Sequence, residues 1–288
     1  RFDRHIIEQD TRVEEALPVP FARDLLALLA ERGFRPDAAR RYLEIFFQLR
    51  RAFHFIQRRI VGLSPSMRRL RMKLWNNVFT HDLAAYDAYL RPRMEDFSTM
   101  LLGETGTGKG AAAAAIGRSG YIPFDEKRGR FVESFTRAFT AINLSQYPET
   151  LIESELFGHK KGAFTGAVEA HRGVFSRSSP YGVLFLDEIA EIGVPVQVKL
   201  LKVLEDRLFT PLGSHEILRF PGRVIVATNR PLGELRRRGE FRDELFHRVS
   251  SDIILFPPLR DRIAEEPKEL DALVRHAAAK MTGSDATG

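Results

Sequence analysis

The 288-residue sequence predicts an α/β fold in which a parallel sheet is flanked by helices. From residue 98 onward, short apolar segments alternate with longer helical patterns, as in sheets built from strand–helix–strand units. A glycine-rich loop follows the first of these segments, and two carboxylates end the third. The predicted buried strands cover residues 98–102, 138–144, 182–186 and 223–227.

The first 60 residues predict a helical segment, regulatory or linking in role, that precedes this core. Phe21 and Leu25 belong to a helical apolar pattern that Gly33 and Pro36 interrupt. A second helix is predicted over residues 37–59. Its apolar stripe comprises Tyr42, Ile45, Phe46, Leu49, Phe53 and Ile56, and its opposite, solvated face comprises Arg40, Arg41, Arg50, Arg51 and Arg58.

Proline, glycine and charge patterns divide the rest of the chain. Residues 61–262 are predicted to form the α/β core, with Pro65 in the first turn of its opening helix. Residues 122–137 are interpreted as a surface insertion. Residues 263–288 are predicted to contain one helix and a disordered tail from residue 282 onward.

Composition excludes several classes of site. The chain has no cysteine, which rules out disulfides and thiolate metal sites. Its net charge of +6 arises from 44 basic and 38 acidic residues, a mixture typical of solvated faces rather than of a dedicated nucleic-acid surface. No apolar run approaches the ~20 residues that span a bilayer. We therefore expect no membrane contact and a cytoplasmic location.

The loop after the first predicted strand has the GxxxxGK pattern of a Walker A phosphate-binding loop. Its glycines allow backbone N–H groups to surround phosphate oxygens, and the following helix directs its positive end toward them. Lys109 is expected to neutralise the terminal phosphates of ATP. The predicted nucleotide-binding residues are Gly103, Glu104, Thr105, Gly106, Thr107, Gly108, Lys109 and Gly110. Gly110 departs from the pattern, because a magnesium-binding hydroxyl usually follows the lysine.

The third predicted strand ends in Asp187 and Glu188, as a Walker B strand does. The carboxyl ends of parallel strands meet at one edge of the sheet, so these acids are expected beside the phosphate-binding loop. Asp187 is predicted to hold Mg²⁺, directly or through water. Glu188 is predicted to polarise the water that attacks ATP.

An exposed aromatic lies in a loop of small residues between these two motifs, formed by Gly162, Ala163, Phe164, Thr165, Gly166 and Ala167. Together with the preceding residues 153–161, this loop resembles the sigma-54-contacting loop of bacterial enhancer-binding proteins, the AAA+ ATPases that activate sigma-54 RNA polymerase. The resemblance covers about residues 61–262. It implies an AAA+ core, ATP and Mg²⁺ as ligands, a ring with six subunits expected, and sigma-54 as partner.

The resemblance also implies roles for four side chains. Asn229 matches the sensor I position, and Asn143 matches a position that restrains the catalytic glutamate. Arg242 and Arg248 match arginines that reach the ATP of a neighbouring subunit. Residues 204–219 correspond to a second pore-facing loop. The resemblance further implies a helical lid, most of which is not visible here, and DNA contact only through a domain absent from this chain.

Two other functions fit the same motifs. With Gly110 and a short lid region, the chain could be a nucleotide-gated scaffold that binds ATP without turning it over. The Walker motifs also fit another AAA+ remodeller, such as an unfoldase, although that function leaves the loop around Phe164 without a role.

Overall fold

The computed structural model describes residues 1–11 and 15–282. Within them, five parallel strands form the central sheet in the spatial order β4-β5-β8-β1-β9. Its strands are β1 (Thr99–Leu102), β4 (Phe139–Asn143), β5 (Val183–Asp187), β8 (Arg223–Thr228) and β9 (Asp252–Leu255). Two short hairpins lie outside it, β2 (Phe124–Asp125) with β3 (Arg130–Phe131), and β6 (Leu208–Phe209) with β7 (Leu218–Arg219).

Helices occur before, between and after the strands. The α-helices are α1 (Phe2–Thr11), α2 (Ala22–Glu31), α3 (Pro36–Ala52), α4 (Pro65–Phe79), α5 (Leu83–Ala85), α6 (Lys109–Arg118), α7 (Glu149–Phe157), α8 (Val174–Arg177), α9 (Val194–Asp206), α10 (Leu232–Arg237), α11 (Asp243–Val249), α12 (Leu259–Glu265) and α13 (Lys268–Thr282). Residues Phe53–Arg58 and Tyr86–Leu90 are π-helical, and Arg91–Asp96, Leu144–Gln146 and Ile189–Glu191 are 3₁₀ turns.

The predicted α/β class is confirmed, with one strand added. All four predicted strands are present and shifted by one residue at most at each end. Strand β9, which pairs with β1 at the sheet edge, was not predicted from the sequence. Of its four residues only Ile254 is buried, so β9 lacks the continuous apolar run by which the central strands were recognised.

Two apolar clusters cover the two faces of the sheet. One joins the N-terminal helices, α4 and α6 to residues such as Leu101, Phe185 and Ala227. The other joins α7, α9 and α11 to alternate residues of the same strands, such as Leu184 and Val226. Because side chains alternate across a strand, each central strand contributes to both clusters. The N-terminal helices therefore share a core with the sheet.

The predicted helices of the N-terminal segment form, but only half of the apolar stripe predicted for residues 37–59 packs. Ile45 and Ile56 are buried, and Leu49 packs against the core. Tyr42, Phe46 and Phe53 are exposed, whereas Leu43 and Phe47 are buried against the sheet layer. The prediction was half right because aromatic residues occupy both sides of this helix.

The expectation that Arg51 lies on a solvated face is also wrong. Arg51 is 1% exposed, and its guanidinium donates to the carbonyl oxygens of Arg118 and Gly120 at 3.2 and 2.7 Å. These carbonyls lie at the end of α6, where a helix dipole favours positive charge. Burial lowers the pKa of Arg51 to about 9. Through this contact α3 stabilises the C-terminal end of the helix that follows the Walker A loop.

Residues 122–137 are a structural part of the core, which corrects their interpretation as a surface insertion. Phe124, Phe131 and Phe135 are all buried there. The Phe131 ring lies 4.3 Å from that of Phe47 on α3. The hairpin β2–β3 thus supplies the aromatic surface on which the N-terminal helices pack.

The C-terminal helix α13 is the single helix expected after residue 262, and it is tied to the start of the core. Glu269 is completely buried and forms an ion pair with Arg262, whose Nε lies 2.7 Å from its carboxylate. The other carboxylate oxygen accepts from the backbone N–H groups of Leu63 and Ser64. Ser64 in turn caps α4, where Pro65 occupies the first turn as predicted.

Two sequence expectations concern the chain ends and membranes. The tail predicted to be disordered falls at residues 283–288, outside the described residues, apart from Thr282, which ends α13. Among the helices of residues 1–11 and 15–282, none combines the length and apolar character required for a membrane crossing.

Candidate nucleotide site and surface loops

The Walker A loop connects β1 to α6 at the carboxyl edge of the sheet. Gly106 and Gly108 adopt positive φ angles of 81° and 99°, which glycine tolerates without strain. A side chain at Gly103 would lie 2.7 Å from Cβ of Phe256, so the loop needs glycine there for close approach. The Lys109 ammonium is 7% exposed and donates to the carbonyls of Gly103 and Glu104 at 2.8 and 3.0 Å.

Gly110 forms part of the first turn of α6, as expected from its position after the lysine. A Cβ atom added there would meet only Cε1 of Phe185, at 3.9 Å. The absence of a side chain at this position is therefore not required by packing.

Asp187 and Glu188 stand at the end of β5, beside this loop. The Glu188 N–H donates to the Asp187 carboxylate at 3.1 Å. Glu188 has a φ of +54°, a left-handed conformation that is uncommon for residues other than glycine and recurs at functional sites. Two carboxylates therefore lie at the sheet edge from which the Walker A loop also emerges.

Asn229 joins the two Walker motifs. It follows β8, which lies between β5 and β1 in the sheet. Its backbone N–H donates to Glu188 Oε2 at 3.3 Å, and its side-chain amide donates to Thr105 Oγ1 at 2.7 Å. The structure thus brings together the predicted sensor residue, the predicted catalytic glutamate and the phosphate-binding loop.

Asn143 is near this edge but has a different partner. It pairs in register with Asp187 across β4 and β5. Its side-chain oxygen accepts from the N–H and hydroxyl of Ser145 at 3.0 and 2.8 Å, which caps the following turn. The structure therefore places Asn143 beside the Walker B strand with its amide engaged in its own loop.

Arg242 lies just before α11 and Arg248 in its last turn, and both contact their own chain. Arg242 precedes the first residue of the helix, and its guanidinium pairs with Glu244 at 3.3 Å. The Arg248 guanidinium donates from Nε to the carbonyl of Leu204 at 3.1 Å, at the end of α9. Neither side chain contacts a Walker residue in the described part of this chain, and their role toward a neighbouring subunit stays a prediction.

One contact at the mouth of the nucleotide loop was missed by sequence analysis. Arg260 forms an ion pair of 2.7 Å with Glu104 of the Walker A loop. The hydrogen bond from Arg260 lowers the pKa of Glu104. Because 156 residues separate the two side chains, no local sequence pattern indicates the pair.

The loop of residues 162–167 forms a compact turn. Gly162 N–H donates to the Ala167 carbonyl at 2.8 Å, and Ala167 N–H donates to the Phe164 carbonyl at 3.0 Å. Gly162 and Gly166 both have positive φ angles. The Phe164 ring is 36% exposed and contacts the ring of His159 edge-on at 4.9 Å.

The predicted second loop, residues 204–219, lies against the base of the first. Lys160 N–H donates to the Leu212 carbonyl at 3.0 Å, and Leu212 N–H donates to the Gly158 carbonyl at 2.9 Å. Lys160 also pairs with Glu216 at 3.1 Å. The two loops are therefore one hydrogen-bonded unit.

The Walker motifs, the order of the parallel sheet and the flanking helices define an AAA+ P-loop fold. The chain belongs to a family within that class. The model of the sigma-54 interaction domain matches residues 83–254, and we assign the chain to that family. The match includes both Walker motifs and the loop that contains Phe164, in agreement with the resemblance seen in the sequence.

Individual relatives agree with this assignment. The chain is 47% identical over 171 residues to a Nif-specific regulatory protein of Bradyrhizobium diazoefficiens, covering 59% of this chain and 27% of the relative. It is 35% identical over 214 residues to the regulatory protein AtoC of Escherichia coli, covering 73% of this chain and 43% of the relative. The chain thus spans less than half the length of these relatives.

A solved structure of NtrX from Brucella abortus superimposes with a TM-score of 0.58. It is 25% identical to this chain, and the superposition covers 90% of this chain and 50% of NtrX. A structure of Hsp104 with ATPγS and casein, 19% identical with a TM-score of 0.51, shares the fold. The likeness to NtrX extends beyond the family match into the N-terminal helices.

Proposed function

We propose that this chain is an ATP-hydrolysing activator module that remodels sigma-54 RNA polymerase through the loop at Phe164. The observation that carries the proposal is the pair of hydrogen bonds from Asn229 to Glu188 and Thr105. Through them, one residue contacts both the group that would activate water and the loop that would hold the phosphates. A change at the terminal phosphate would therefore be transmitted to Glu188 through Asn229.

Each Walker residue has a distinct task in this function. The backbone of the glycine loop and the Lys109 ammonium would bind the phosphates of ATP. Glu188 would accept a proton from the attacking water, and Asn229 would orient that water. Mg²⁺, when bound, neutralises charge on the phosphates, and it is held in such sites by one or two carboxylates plus phosphate oxygens. Asp187 fits this donor set, and Gly110 contributes no ligand.

Hydrolysis in this proposal requires a ring, with six subunits expected. Arg242 and Arg248 would act on the ATP of the neighbouring subunit, where an arginine finger contributes roughly 10³–10⁵ in rate. Arg248 would first have to leave the Leu204 carbonyl that it contacts here. DNA would be contacted only by a domain outside this chain, and the place of action would be the cytoplasm, where the polymerase works.

The loop proposal is tested with Phe164→Ala in the assembled protein. We expect ATP turnover within about a factor of two of the parent, because Phe164 contacts none of the Walker residues. Capture of sigma-54 in the presence of a trapped-nucleotide analogue should be lost. Val168→Ala is the matched control, since Val168 is 73% exposed beside the same loop. Undiminished capture by Phe164→Ala would refute the role of the loop.

A nucleotide-gated scaffold is the second candidate, favoured by Gly110. The two functions differ in how turnover depends on protein concentration. If Arg242 and Arg248 act in trans, ATPase activity per chain rises as rings assemble. ATP binding with no turnover at any concentration would favour the scaffold.

A further inference from the structure

A cavity of about 230 Å³ lies at the edge of the sheet opposite the nucleotide site. It is bounded by the start of β5 at Val183, the start of β8 at Arg223, the residues after α6 and the N-terminal helix α3. Its volume is smaller than the roughly 300–1,000 Å³ typical of drug-sized ligands, so it suits a small molecule. None of the proposed catalytic residues lines it.

Arg223 gives this cavity a buried positive charge. Its side chain is 8% exposed, and it donates to Phe97 O, Asn77 O, Asn77 Oδ1 and Thr99 Oγ1 at 2.8 to 3.3 Å. All four acceptors are neutral. Within residues 1–11 and 15–282, no carboxylate pairs directly with Arg223. Asp252, which interacts with it electrostatically, instead accepts from the Asn77 amide at 2.6 Å. One of its five N–H groups is left over after these four bonds.

Gln48 adds a buried acceptor to the wall of the cavity. Its amide nitrogen donates to the Ser119 carbonyl at 3.0 Å and to the Tyr86 hydroxyl at 2.8 Å. The Ser119 carbonyl can only accept, which fixes the orientation of the amide. The Gln48 side-chain oxygen is left without a hydrogen-bond partner in the described part of the chain, although Gln48 is 1% exposed.

The remaining wall is aromatic and carries a second arginine. The Arg91 guanidinium lies 4.3 Å from the centre of the Tyr121 ring. Arg91 is 20% exposed in its side chain and pairs with Asp87 at 3.2 Å and with Glu44 at 3.7 Å. Of the described residues that line the cavity, Glu95 is the sole carboxylate, and it pairs with Arg219 at 3.6 Å. Two arginines and one carboxylate therefore line the cavity, while Asp87 and Glu44 offset the charge of Arg91.

We propose that this cavity binds one small organic carboxylate with a planar apolar body, such as an aromatic acid. The carboxylate would accept from the remaining N–H group of Arg223 and from Arg91, and tyrosine rings would cover the apolar body. A hydroxyl or amino substituent on the ligand would donate to the free Gln48 oxygen. Because Gln48 belongs to α3 and Arg223 to the sheet, the bound acid would fasten the N-terminal helices to the core.

Benzoate is the probe for a first test, with benzamide as its neutral isostere. Binding to the full 288-residue chain is followed by amide NMR shifts of Gly120, Tyr121 and Gly182, which line the cavity. We expect saturable binding of benzoate with a Kd below about 1 mM. Benzamide should bind at least about tenfold more weakly, because hydrogen bonds to charged groups are the stronger ones.

Arg91→Gln should weaken benzoate binding by about tenfold or more, through the loss of one charged donor. Arg93→Gln is the matched control, because it removes the same charge from the same 3₁₀ turn at a side chain that is 73% exposed. Shifts that are absent up to about 10 mM benzoate, equal affinity for benzamide, or equal losses in the two variants would each overturn the proposal.

Discussion

The substitution Glu269→Gln tests how the C-terminal helix is held to the core. It removes the negative charge of a completely buried side chain and leaves Arg262, itself 6% exposed, without its counter-charge. The two carboxylate oxygens of Glu269 together accept from Arg262, Leu63 and Ser64, and the substitution replaces one of these oxygens by an NH₂ group. At least one donor must then face another donor.

The expected cost follows from these contacts. Breaking a buried ion pair by changing one partner typically destabilises a protein by about 3–5 kcal/mol. The isosteric glutamine retains one acceptor, so we expect a value near the lower end, about 3 kcal/mol. Because every 1.4 kcal/mol is a factor of ten, this corresponds to roughly a hundredfold more frequent opening of the contact.

Hydrogen exchange at the Leu63 and Ser64 amides measures this opening directly, since both N–H groups donate to Glu269. Their exchange should accelerate by about two orders of magnitude, while amides of the central strands change less. Asp271→Asn is the control, because it removes a charge from an exposed position on the same helix. Unchanged exchange of Leu63 and Ser64 in Glu269→Gln would refute the reasoning.

Three further predictions concern packing and pH. Gly173→Ala should destabilise the base of the Phe164 loop by about 3 kcal/mol, because the new Cβ atom would lie 2.3 Å from the Gly158 nitrogen. Urea unfolding measures this loss of stability. Gly110→Ala has room and should raise helix stability by up to about 1 kcal/mol in the same assay. Burial raises the pKa of Glu269, but hydrogen bonds from Leu63, Arg262 and Ser64 outweigh this effect and lower the pKa below its ordinary 4.5. The stability that Glu269 contributes is therefore present above about pH 4.5 and is lost as acid titration passes through the lower folded pKa; acid unfolding that shows no such loss relative to Glu269→Gln would contradict this.

The sheet and most of the site could be predicted because their signals are local. Central strands buried on both faces must be continuously apolar, and β5 and β8 could be predicted from such apolar runs. The glycine loop and the acids at 187 and 188 are short motifs whose spacing follows from strand geometry. The loop at Phe164 combines one aromatic with small residues, and the resemblance to which it led agrees with the family match over residues 83–254.

The contacts that sequence analysis missed join residues far apart in the chain. No residue near Arg51 in the sequence indicates that its guanidinium donates to the carbonyls at the end of α6, because arginine side chains are normally solvated. Nothing near residues 122–137 shows that their phenylalanines face α3. Edge strand β9 has one buried residue and therefore no strand pattern of its own. Each of these features is set by tertiary packing rather than by neighbouring residues.

The shared core of the N-terminal helices has a practical consequence for handling the molecule. The family match begins at residue 83, yet Phe47, Phe55 and Leu74 are buried in the layer that covers one sheet face. A recombinant fragment trimmed to the matched boundaries would expose the apolar face of the sheet to solvent, together with the aromatic β2–β3 hairpin. Such a fragment should aggregate when expressed, whereas a fragment that starts at residue 1 keeps the N-terminal helices that cover this face.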